Sequence, residues 1–153
     1  MRIRKFQDKD AKEVCNLIKR NDLEVASKFY PKEVIDNWLH QGMTPEIILK
    51  KSRERICFIA EEDKKVIGYI SLLENEIKKC FVLPEFQKKG IGRKLIDEIE
   101  KTARLHHLNK LIVQSNFYAE SFYNKSGFKR IKDIWEKVGD VKFKLVYMEK
   151  ELK

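Results

Sequence analysis

Hydrophobic residues recur along this chain in two patterns, and the two patterns separate strands from helices. Apolar and charged residues alternate from Met1 to Gln7, which is typical of a half-buried strand. Apolar runs between polar turns predict six further strands. The predicted strands cover residues 1–7, 55–62, 65–73, 76–83, 110–114, 128–135 and 142–149. The polar tip at residues 62–64 joins the second and third strands into a hairpin.

Apolar residues spaced three and four apart predict five helices, and capping residues and prolines mark where most of them begin. They begin at Asp8 or Asp10, at Tyr30-Pro31, at Thr44-Pro45, after Gly90 and at Asn116; the first ends at Asn21 and Asp22 and the second at Gly42. Mixed strands and helices indicate an α+β or mixed α/β fold. At this length we expect one domain, residues 1–153.

A segment with two glycines lies between the strand that begins at Glu76 and the helix that follows it. It reads Gln87-Lys88-Lys89-Gly90-Ile91-Gly92-Arg93. A helix that opens on glycines presents unpaired N–H groups and the positive end of its dipole, and glycine lets a bulky anion approach the main chain. The two lysines and the arginine add positive charge. The segment therefore predicts a cradle for a pyrophosphate.

Two common phosphate motifs do not fit this segment. A Walker loop needs Gly-x-x-x-x-Gly-Lys-Ser/Thr, which the chain lacks. The dinucleotide fingerprint needs a third glycine where Leu95 stands, and an acid where the apolar residues 111–113 stand. The segment is therefore neither a Walker loop nor a dinucleotide fingerprint.

A second motif follows the strand at residues 110–114. It reads Asn116-Phe117-Tyr118-Ala119-Glu120-Ser121-Phe122-Tyr123-Asn124-Lys125-Ser126-Gly127-Phe128. This segment resembles the Asn-x-x-Ala-x-x-Phe-Tyr-x-x-x-Gly-Phe segment of the GCN5-related N-acetyltransferases. Residues 87–92 resemble a second motif of the same family, the Gln-x-x-Gly-x-Gly loop that binds acetyl-coenzyme A. The two motifs stand in the family's order. The resemblance covers nearly the whole chain and is weakest from about residue 20 to 55.

The resemblance implies a central, mixed, mostly antiparallel sheet that splays open in the middle, flanked by helices, with acetyl-coenzyme A in the opening. It assigns the pyrophosphate to residues 87–93 and the acetyl and pantetheine groups to the backbone of Cys80, Phe81 and Val82. Asn116 matches the asparagine that contacts the pantetheine arm. Tyr123 matches the tyrosine that hydrogen-bonds the cofactor sulfur.

The resemblance also implies the reaction, which is direct attack of a primary amine of a small molecule or peptide on the acetyl group in a ternary complex. A phenol is protonated at neutral pH, so Tyr123 can donate a proton to the leaving thiolate. Glu76 and Glu74 lie on the predicted central strand. Glu76 stands where one branch of the family carries its general base, with Glu74, a water or an already neutral amine as alternatives.

The composition of the chain indicates which partners we expect it to bind. The net charge of +9 admits anionic partners, but Lys and Glu are interleaved along the chain without a basic block, which makes nucleic-acid binding an unfavoured alternative. No apolar run approaches the roughly 18 residues needed to span a bilayer, so we expect no membrane partner and a cytoplasmic location. The three cysteines and three histidines lack metal-ligand spacing, and no metal is expected.

The amine itself is the least defined part of the prediction. In the resembled family the acceptor is chosen by residues that here correspond to 23–52 and 134–142. Phe29, Tyr30, Trp38 and Trp135 could line a pocket there, and Glu33 and Asp36 could attract an amine. The alternative to an enzyme is a sensor that binds acyl-coenzyme A without turnover. A homodimer is a further option.

Overall fold

The computed structural model describes residues 1–41 and 43–153. Within these residues the chain forms seven strands and five α-helices. The strands are β1 (Arg2–Lys5), β2 (Ile56–Glu62), β3 (Lys65–Leu73), β4 (Glu76–Val82), β5 (Lys110–Asn116), β6 (Lys129–Val138) and β7 (Val141–Glu151). The helices are α1 (Ala11–Glu24), α2 (Lys32–His40), α3 (Pro45–Arg53), α4 (Ile91–Leu105) and α5 (Glu120–Lys125). Gly42, the predicted end of the second helix, lies outside the described residues.

All seven strands lie in one sheet in the order β1-β2-β3-β4-β5-β7-β6. The β4–β5 pair is parallel, and the other neighbouring pairs are antiparallel. The sheet is therefore mixed and mostly antiparallel, and helices flank it, which confirms the predicted fold class.

The parallel pair is unusually short. β4 and β5 are paired through Glu76–Ile112 and Ile77–Val113 and then separate. A bulge accompanies the separation: Ser71 of β3 pairs with Lys79, but Leu72 pairs with Ile77, so an extra residue is inserted in β4. A bulge bends a strand and increases its twist. Residues 78–82 of β4 and residues 114–116 of β5 therefore border an opening, which we call the β4–β5 gap.

The helices cover opposite faces of the sheet. A Cβ on Gly68 of β3 would lie 3.0 Å from the Leu95 side chain of α4, so α4 packs directly on this strand. The next residue, Tyr69, hydrogen-bonds Ser52 of α3 at 2.8 Å, and neighbouring strand residues point to opposite faces. We call the two sides the α1 face, where α3 contacts α1, and the α4 face. No helix within the described residues is long and apolar enough to cross a membrane.

Tyr30 connects the segment before α2 to the far side of the gap. Its buried hydroxyl donates to the carbonyl of Lys144 on β7 at 2.6 Å and accepts from the N–H of Phe117 at 3.0 Å. Its ring lies in an aromatic cluster with those of Trp38, Phe117 and Phe143. Tyr30 therefore holds the turn after β5 against β7.

Two predicted helix boundaries are wrong. The first helix continues to Glu24, because the Asn21 amide does not cap its end but donates to the carbonyls of Leu17 and Val82. Asn116 is the last residue of β5 and the N-cap residue of a 3₁₀ turn, and the α-helix begins only at Glu120. In both cases a polar residue that usually marks a helix end serves another contact.

The position of Asp10 before the first helix is confirmed, although its role differs from a cap. Asp10 stands directly before α1, but its carboxylate accepts hydrogen bonds from the Arg4 guanidinium and the Gln7 N–H rather than from the helix. The last two strands run to Val138 and Glu151, a few residues beyond their predicted ends.

We predict that Tyr30→Phe lowers the free energy of unfolding by about 2 kcal/mol or more, because it leaves the Phe117 N–H and the Lys144 carbonyl without their partner. Chemical denaturation measures this value. Tyr147→Phe is the matched control and should change it by less than about 0.5 kcal/mol, since no backbone bond within the described residues uses that hydroxyl. A Tyr30→Phe protein as stable as the wild type would contradict the linking role.

Candidate functional site

The backbone of β4 supplies polar groups to the gap. Leu83 N–H donates to Ile67 O of the preceding strand, and backbone groups of consecutive strand residues point to opposite edges. The backbone groups of Phe81 therefore face β3, while those of Cys80 and Val82 face the gap. The gap thus presents two of the three residues that the sequence assigned to the acetyl and pantetheine groups.

The carbonyl of Val82 is held by two side-chain amides. Asn21 Nδ2 donates to it at 2.9 Å and Gln87 Nε2 at 3.1 Å, and Gln87 also donates to Asn21 Oδ1 at 3.1 Å. The sequence assigned Gln87 to the pyrophosphate. In the structure its side chain instead joins α1, β4 and the loop before α4, so its side chain supports the cradle.

The start of α4 is an open row of backbone donors. Gly90 is the N-cap residue, in a left-handed conformation (φ 82°), and no side chain caps the helix. Within the described residues, the N–H groups of residues 88–93 have no backbone acceptor, and the first N–H that is satisfied belongs to Lys94. An uncapped helix start of this kind suits an anion.

The positive side chains near this row are not equally available to bind a phosphate. Lys89 Nζ lies 5.3 Å from the centroid of the Phe86 ring. Arg93 donates to the Asp97 carboxylate at 3.1 Å and to the carbonyl of Lys125 at 3.0 Å, so it ties α4 to the end of α5. Lys88 has a left-handed backbone (φ 61°). Lys88 and Lys89 are therefore better placed than Arg93 to meet a phosphate.

The two glycines of the motif have different surroundings. A Cβ on Gly90 would meet nothing within 4 Å. A Cβ on Gly92 would lie 2.9 Å from the Phe122 ring, because α5 packs its ring on the first turn of α4. Ile91 between them is buried in the core. Gly90 therefore faces open space beside the donor row, whereas Gly92 is needed for packing in any case.

Tyr123 lies on the α4 face of the gap. It is 6% exposed, and its ring packs against those of Phe122 and Phe128. Its hydroxyl interacts with the Cys80 thiol. Burial, followed by the charge of Cys80, raises the pKa of Tyr123 well above its usual value. Burial also raises the pKa of Cys80 to about 12. At neutral pH both groups are therefore protonated.

Asn116 lies at the other edge of the gap, at the end of β5. Its side-chain Nδ2 donates to the hydroxyl of Tyr118 at 3.0 Å, and its backbone carbonyl accepts from the Ser115 hydroxyl at 2.7 Å. Burial raises the pKa of Tyr118. Asn116 thus borders the gap, with its amide orientation set by Tyr118.

The structure places the two candidate bases, Glu76 and Glu74, in different elements. Glu76 is the first residue of β4, half-buried, and its carboxylate lies 3.3 Å from Lys78 Nζ. Glu74 lies in the turn before β4 with a left-handed backbone (φ 56°) and lines a depression of about 510 Å³ with Arg55 and His106. Glu74 is therefore not on the central strand, which leaves Glu76 as the acid nearer the gap.

A third acid was missed by the sequence analysis. Asp22, in the last turn of α1, is 4% exposed, and burial, offset in part by Lys79, raises its pKa to about 6. Lys79 of β4 has its pKa lowered by burial. In the sequence Asp22 resembles an ordinary polar residue at a helix end, so no local pattern distinguishes it.

The gap, the uncapped helix start and the buried phenol together form a candidate site whose chemistry suits an acyl carrier with a pyrophosphate. Comparison with known proteins agrees. Residues 19–152 match the family described as Acetyltransferase (GNAT) domain. A spermidine N(1)-acetyltransferase of Thermoplasma acidophilum is 26% identical over 140 residues, which cover 83% of this chain and 87% of the relative.

Solved structures share the fold. A GCN5-related N-acetyltransferase of Rhodopseudomonas palustris superposes with a TM-score of 0.91 at 20% identity, over 99% of this chain and 95% of the other. The PaiA N-acetyltransferase of Thermoplasma acidophilum in complex with coenzyme A gives 0.81 at 22% identity, over 98% of both chains.

The chain belongs to the GNAT acetyltransferase family, since the family match spans well over half of it. It is an N-acetyltransferase, and acetyl-coenzyme A is its acetyl donor. The residues fit that donor, because the uncapped donor row at the start of α4 suits the pyrophosphate and the gap beside it is lined by β4 and β5 backbone that these two strands do not pair with each other.

We predict that Gly90→Asn lowers the affinity for coenzyme A at least tenfold, about 1.4 kcal/mol, because a side chain would project into the open space beside the donor row. Asparagine tolerates the left-handed backbone, so the fold should persist. Calorimetric titration with coenzyme A measures the affinity.

Gly139→Asn is the matched control for this titration. Gly139 also has a left-handed backbone (φ 59°) and open surroundings, but it lies in the turn between β6 and β7. Its variant should bind like the wild type. Unchanged affinity of folded Gly90→Asn would refute the cradle assignment.

Proposed function

We propose that this protein transfers an acetyl group directly from acetyl-coenzyme A to a primary amine of a small molecule or peptide, with donor and acceptor bound together. The observation that carries the proposal is the β4–β5 gap, which has the anion-binding start of α4 at its edge and Tyr123 on its α4 face. A gap through the sheet can be entered from both faces, so the two substrates can meet in it.

The donor supplies an activated thioester, and the chain supplies its binding groups. In this proposal the N–H groups of residues 88–93 hold the pyrophosphate, assisted by Lys88 and Lys89. The backbone of Cys80 and Val82 faces the acetyl and pantetheine groups, where an N–H can polarise a carbonyl. Asn116 borders the pantetheine arm from β5.

Tyr123 acts as the proton donor to the leaving sulfur. A thiolate leaves poorly from a buried site unless its charge is neutralised or hydrogen-bonded. The raised pKa of Tyr123 keeps its phenol protonated across the neutral range. Burial against Phe122 and Phe128 fixes the ring, so the hydroxyl is held in one place.

The state of Cys80 supports direct transfer over a covalent acyl-enzyme. A cysteine nucleophile acts as its thiolate. Burial raises the pKa of Cys80 to about 12, so the thiol remains neutral at physiological pH. An amine that attacks the donor itself requires no such nucleophile.

Glu76 is the proposed general base on the acceptor side. The negative charge of Glu76 acts on the phenol of Tyr147. Tyr147 lies two positions after Leu145 on β7, and the Leu145 side chain packs against a hydrophobic cluster that includes residues of α2. Alternate residues of a strand share a face, so Tyr147 and Glu76 face the side of α1 and α2, opposite Tyr123. An acid and a base on opposite sides of the gap suit transfer through it.

Two observations bear on the choice of amine acceptor: the name of one relative, and how accessible the candidate acceptor residues are. Because the relative from Thermoplasma acidophilum is named a spermidine N(1)-acetyltransferase, spermidine is the first amine to test. Tyr30 and Trp38 belong to the packed aromatic cluster, and Asp36 is paired with Lys32, so these residues are less available than expected. Trp135 is 64% exposed on the edge strand β6.

Two further expectations remain part of the proposal. The three free cysteines suit a reducing compartment and hence the cytoplasm. A homodimer stays a prediction, and the exposed apolar residues Ile131 and Trp135 of β6 are the surface where we would look for it.

We predict that Tyr123→Phe lowers kcat by about 10- to 1000-fold with little change in acetyl-coenzyme A affinity, because it removes the proton donor and keeps the packed ring. The loss should shrink with an acyl donor whose leaving thiol is more acidic. Steady-state kinetics with both donors tests this. Turnover at the wild-type rate while chemistry is limiting would show that Tyr123 only packs.

A wild-type protein that binds acetyl-coenzyme A but acetylates no amine would favour the sensor.

We predict that Glu76→Gln lowers kcat by about 10²-fold and leaves coenzyme A binding nearly intact. Glu74→Gln is the matched control, and it should retain wild-type kcat because Glu74 lies in the turn, away from the gap. Initial rates with saturating acetyl-coenzyme A and spermidine compare the two. If the Glu74 variant loses activity and the Glu76 variant does not, the assignment of the base is reversed.

A further inference from the structure

We propose that Asp22 is the residue that binds the ammonium group of the amine substrate, at the α1-face opening of the β4–β5 gap and beside the ring of Tyr118. This assignment deepens the proposed function and rests on it. Asp22 would act by positioning a positively charged aliphatic amine next to the place where the acetyl group must lie.

The first support is that Asp22 is largely buried and has no partner within the described parts of the chain. The residue is 4% exposed, its carboxylate oxygens still reach the surface, and they take part in no hydrogen bond or ion pair. The charge of Lys79 acts on Asp22, but the two side chains form no ion pair. Buried carboxylates are normally paired, because an unpaired one is costly. A cationic ligand is the partner that such a site lacks.

The second support is the position of Asp22 on its helix. It lies in the last turn of α1, where the helix dipole is negative and disfavours a carboxylate. Neither packing nor the helix end therefore explains an acid here. A residue that opposes the stability of its own helix is more simply explained by binding.

The third support is that Asp22 lies within electrostatic range of both edges of the gap. Its charge acts on Lys79 of β4 and on the phenol of Tyr118, which follows β5. The preceding residue, Asn21, donates to Val82 O at the edge of β4. Asp22 therefore lies above the opening, on the face opposite Tyr123.

The rings beside Asp22 suit a cation as well. Tyr118 stacks on Phe29 with ring centroids 4.5 Å apart and planes at 18°, and Phe29 is 46% exposed. A carboxylate with aromatic faces is a common arrangement for ammonium binding. Tyr118 is also hydrogen-bonded to Asn116, so the ammonium subsite adjoins a residue assigned to the donor.

Lys79 is the group that opposes this assignment. It faces Asp22 from β4, while Tyr118 faces it from the segment after β5. Burial lowers the pKa of Lys79, and its ammonium lies 5.8 Å from the centroid of the Phe81 ring. Removing this positive charge should therefore strengthen amine binding, whereas a substrate held by its carboxylate would bind more weakly.

The test compares Asp22→Asn and Lys79→Met with the control Asp63→Asn, which removes an exposed carboxylate from the turn between β2 and β3, outside the segments expected to choose the acceptor. Spermidine is the probe. We expect Asp22→Asn to raise KM for spermidine at least tenfold with a smaller change in kcat and unchanged coenzyme A affinity. Lys79→Met should lower KM, and Asp63→Asn should match the wild type. Wild-type KM in Asp22→Asn, or a higher KM in Lys79→Met, would overturn the proposal.

A second readout does not depend on turnover. The folded-state pKa of Asp22, about 6, lies above its usual value, so folding favours the protonated acid and stability is lost as pH rises toward and through 6. Asp22→Asn should therefore melt several degrees higher than the wild type at pH 8 and show a smaller gain at pH 5. A variant that is less stable at pH 8 would mean that Asp22 has a structural role, which would refute the binding assignment.

A binding measurement separates this proposal from the proposed function. Spermidine should raise the melting temperature of the wild-type complex with coenzyme A, and this shift should disappear in Asp22→Asn. If the shift is present but no acetyl group is transferred, the proposed function fails and the ammonium site stands. If transfer occurs and the shift is the same in Asp22→Asn, the function stands and this inference fails. No shift in the wild type overturns the inference.

Discussion

The two-residue contact between β4 and β5 is the constraint on which the rest of the structure depends. Past Ile77 and Val113 the strands stop pairing, so backbone groups in the middle of the sheet lose the neighbour that would satisfy them. Such groups are costly when buried unless something else bonds them. The Asn21 and Gln87 amides satisfy Val82 O from outside the sheet. The remaining groups are available to a ligand, so the interruption of the sheet and the proposed binding site are the same feature.

Contacts on both sides keep the gap open. On the β4 side, the bulge near Lys78 turns the strand away while α1 and the loop before α4 hold its end. On the β5 side, β7 pairs with the full length of β5, and Tyr30 bonds the turn that follows it. Closing the gap would require breaking both sets of bonds. This explains why residues far from the chemistry, such as Tyr30, matter for the shape of the site.

Much of this could be predicted from the sequence, because the elements and the two motifs are encoded locally. The glycines before α4 and the Asn116–Phe128 segment each combine a turn, a helix start and their chemistry within a few residues. What failed depends on contacts across the chain. Asn21 resembles a helix end in the sequence, but its amide bonds Val82 of β4, and Glu74 is predicted on the central strand but lies in the turn before it. The role of Gln87 toward the cofactor stays a prediction, but its bonds to Asn21 and Val82 could not be read from the sequence. Asp22 carries no local signal at all, since burial without a partner is a property of the packed molecule.

The charge distribution gives a physical reason for an acid in so unfavourable a place. A net charge of +9 attracts the anionic acetyl donor over long distances but repels an amine that arrives as an ammonium ion. Three acids closer to the surface are already paired with positive side chains: Glu24 and Glu85 share Arg20, and Glu149 is paired with Lys110. A buried carboxylate is less screened by water and salt, so it attracts a cation strongly at short range. The long-range field then favours the donor, while the short-range contact selects the acceptor, and the two substrates need not compete for one electrostatic surface.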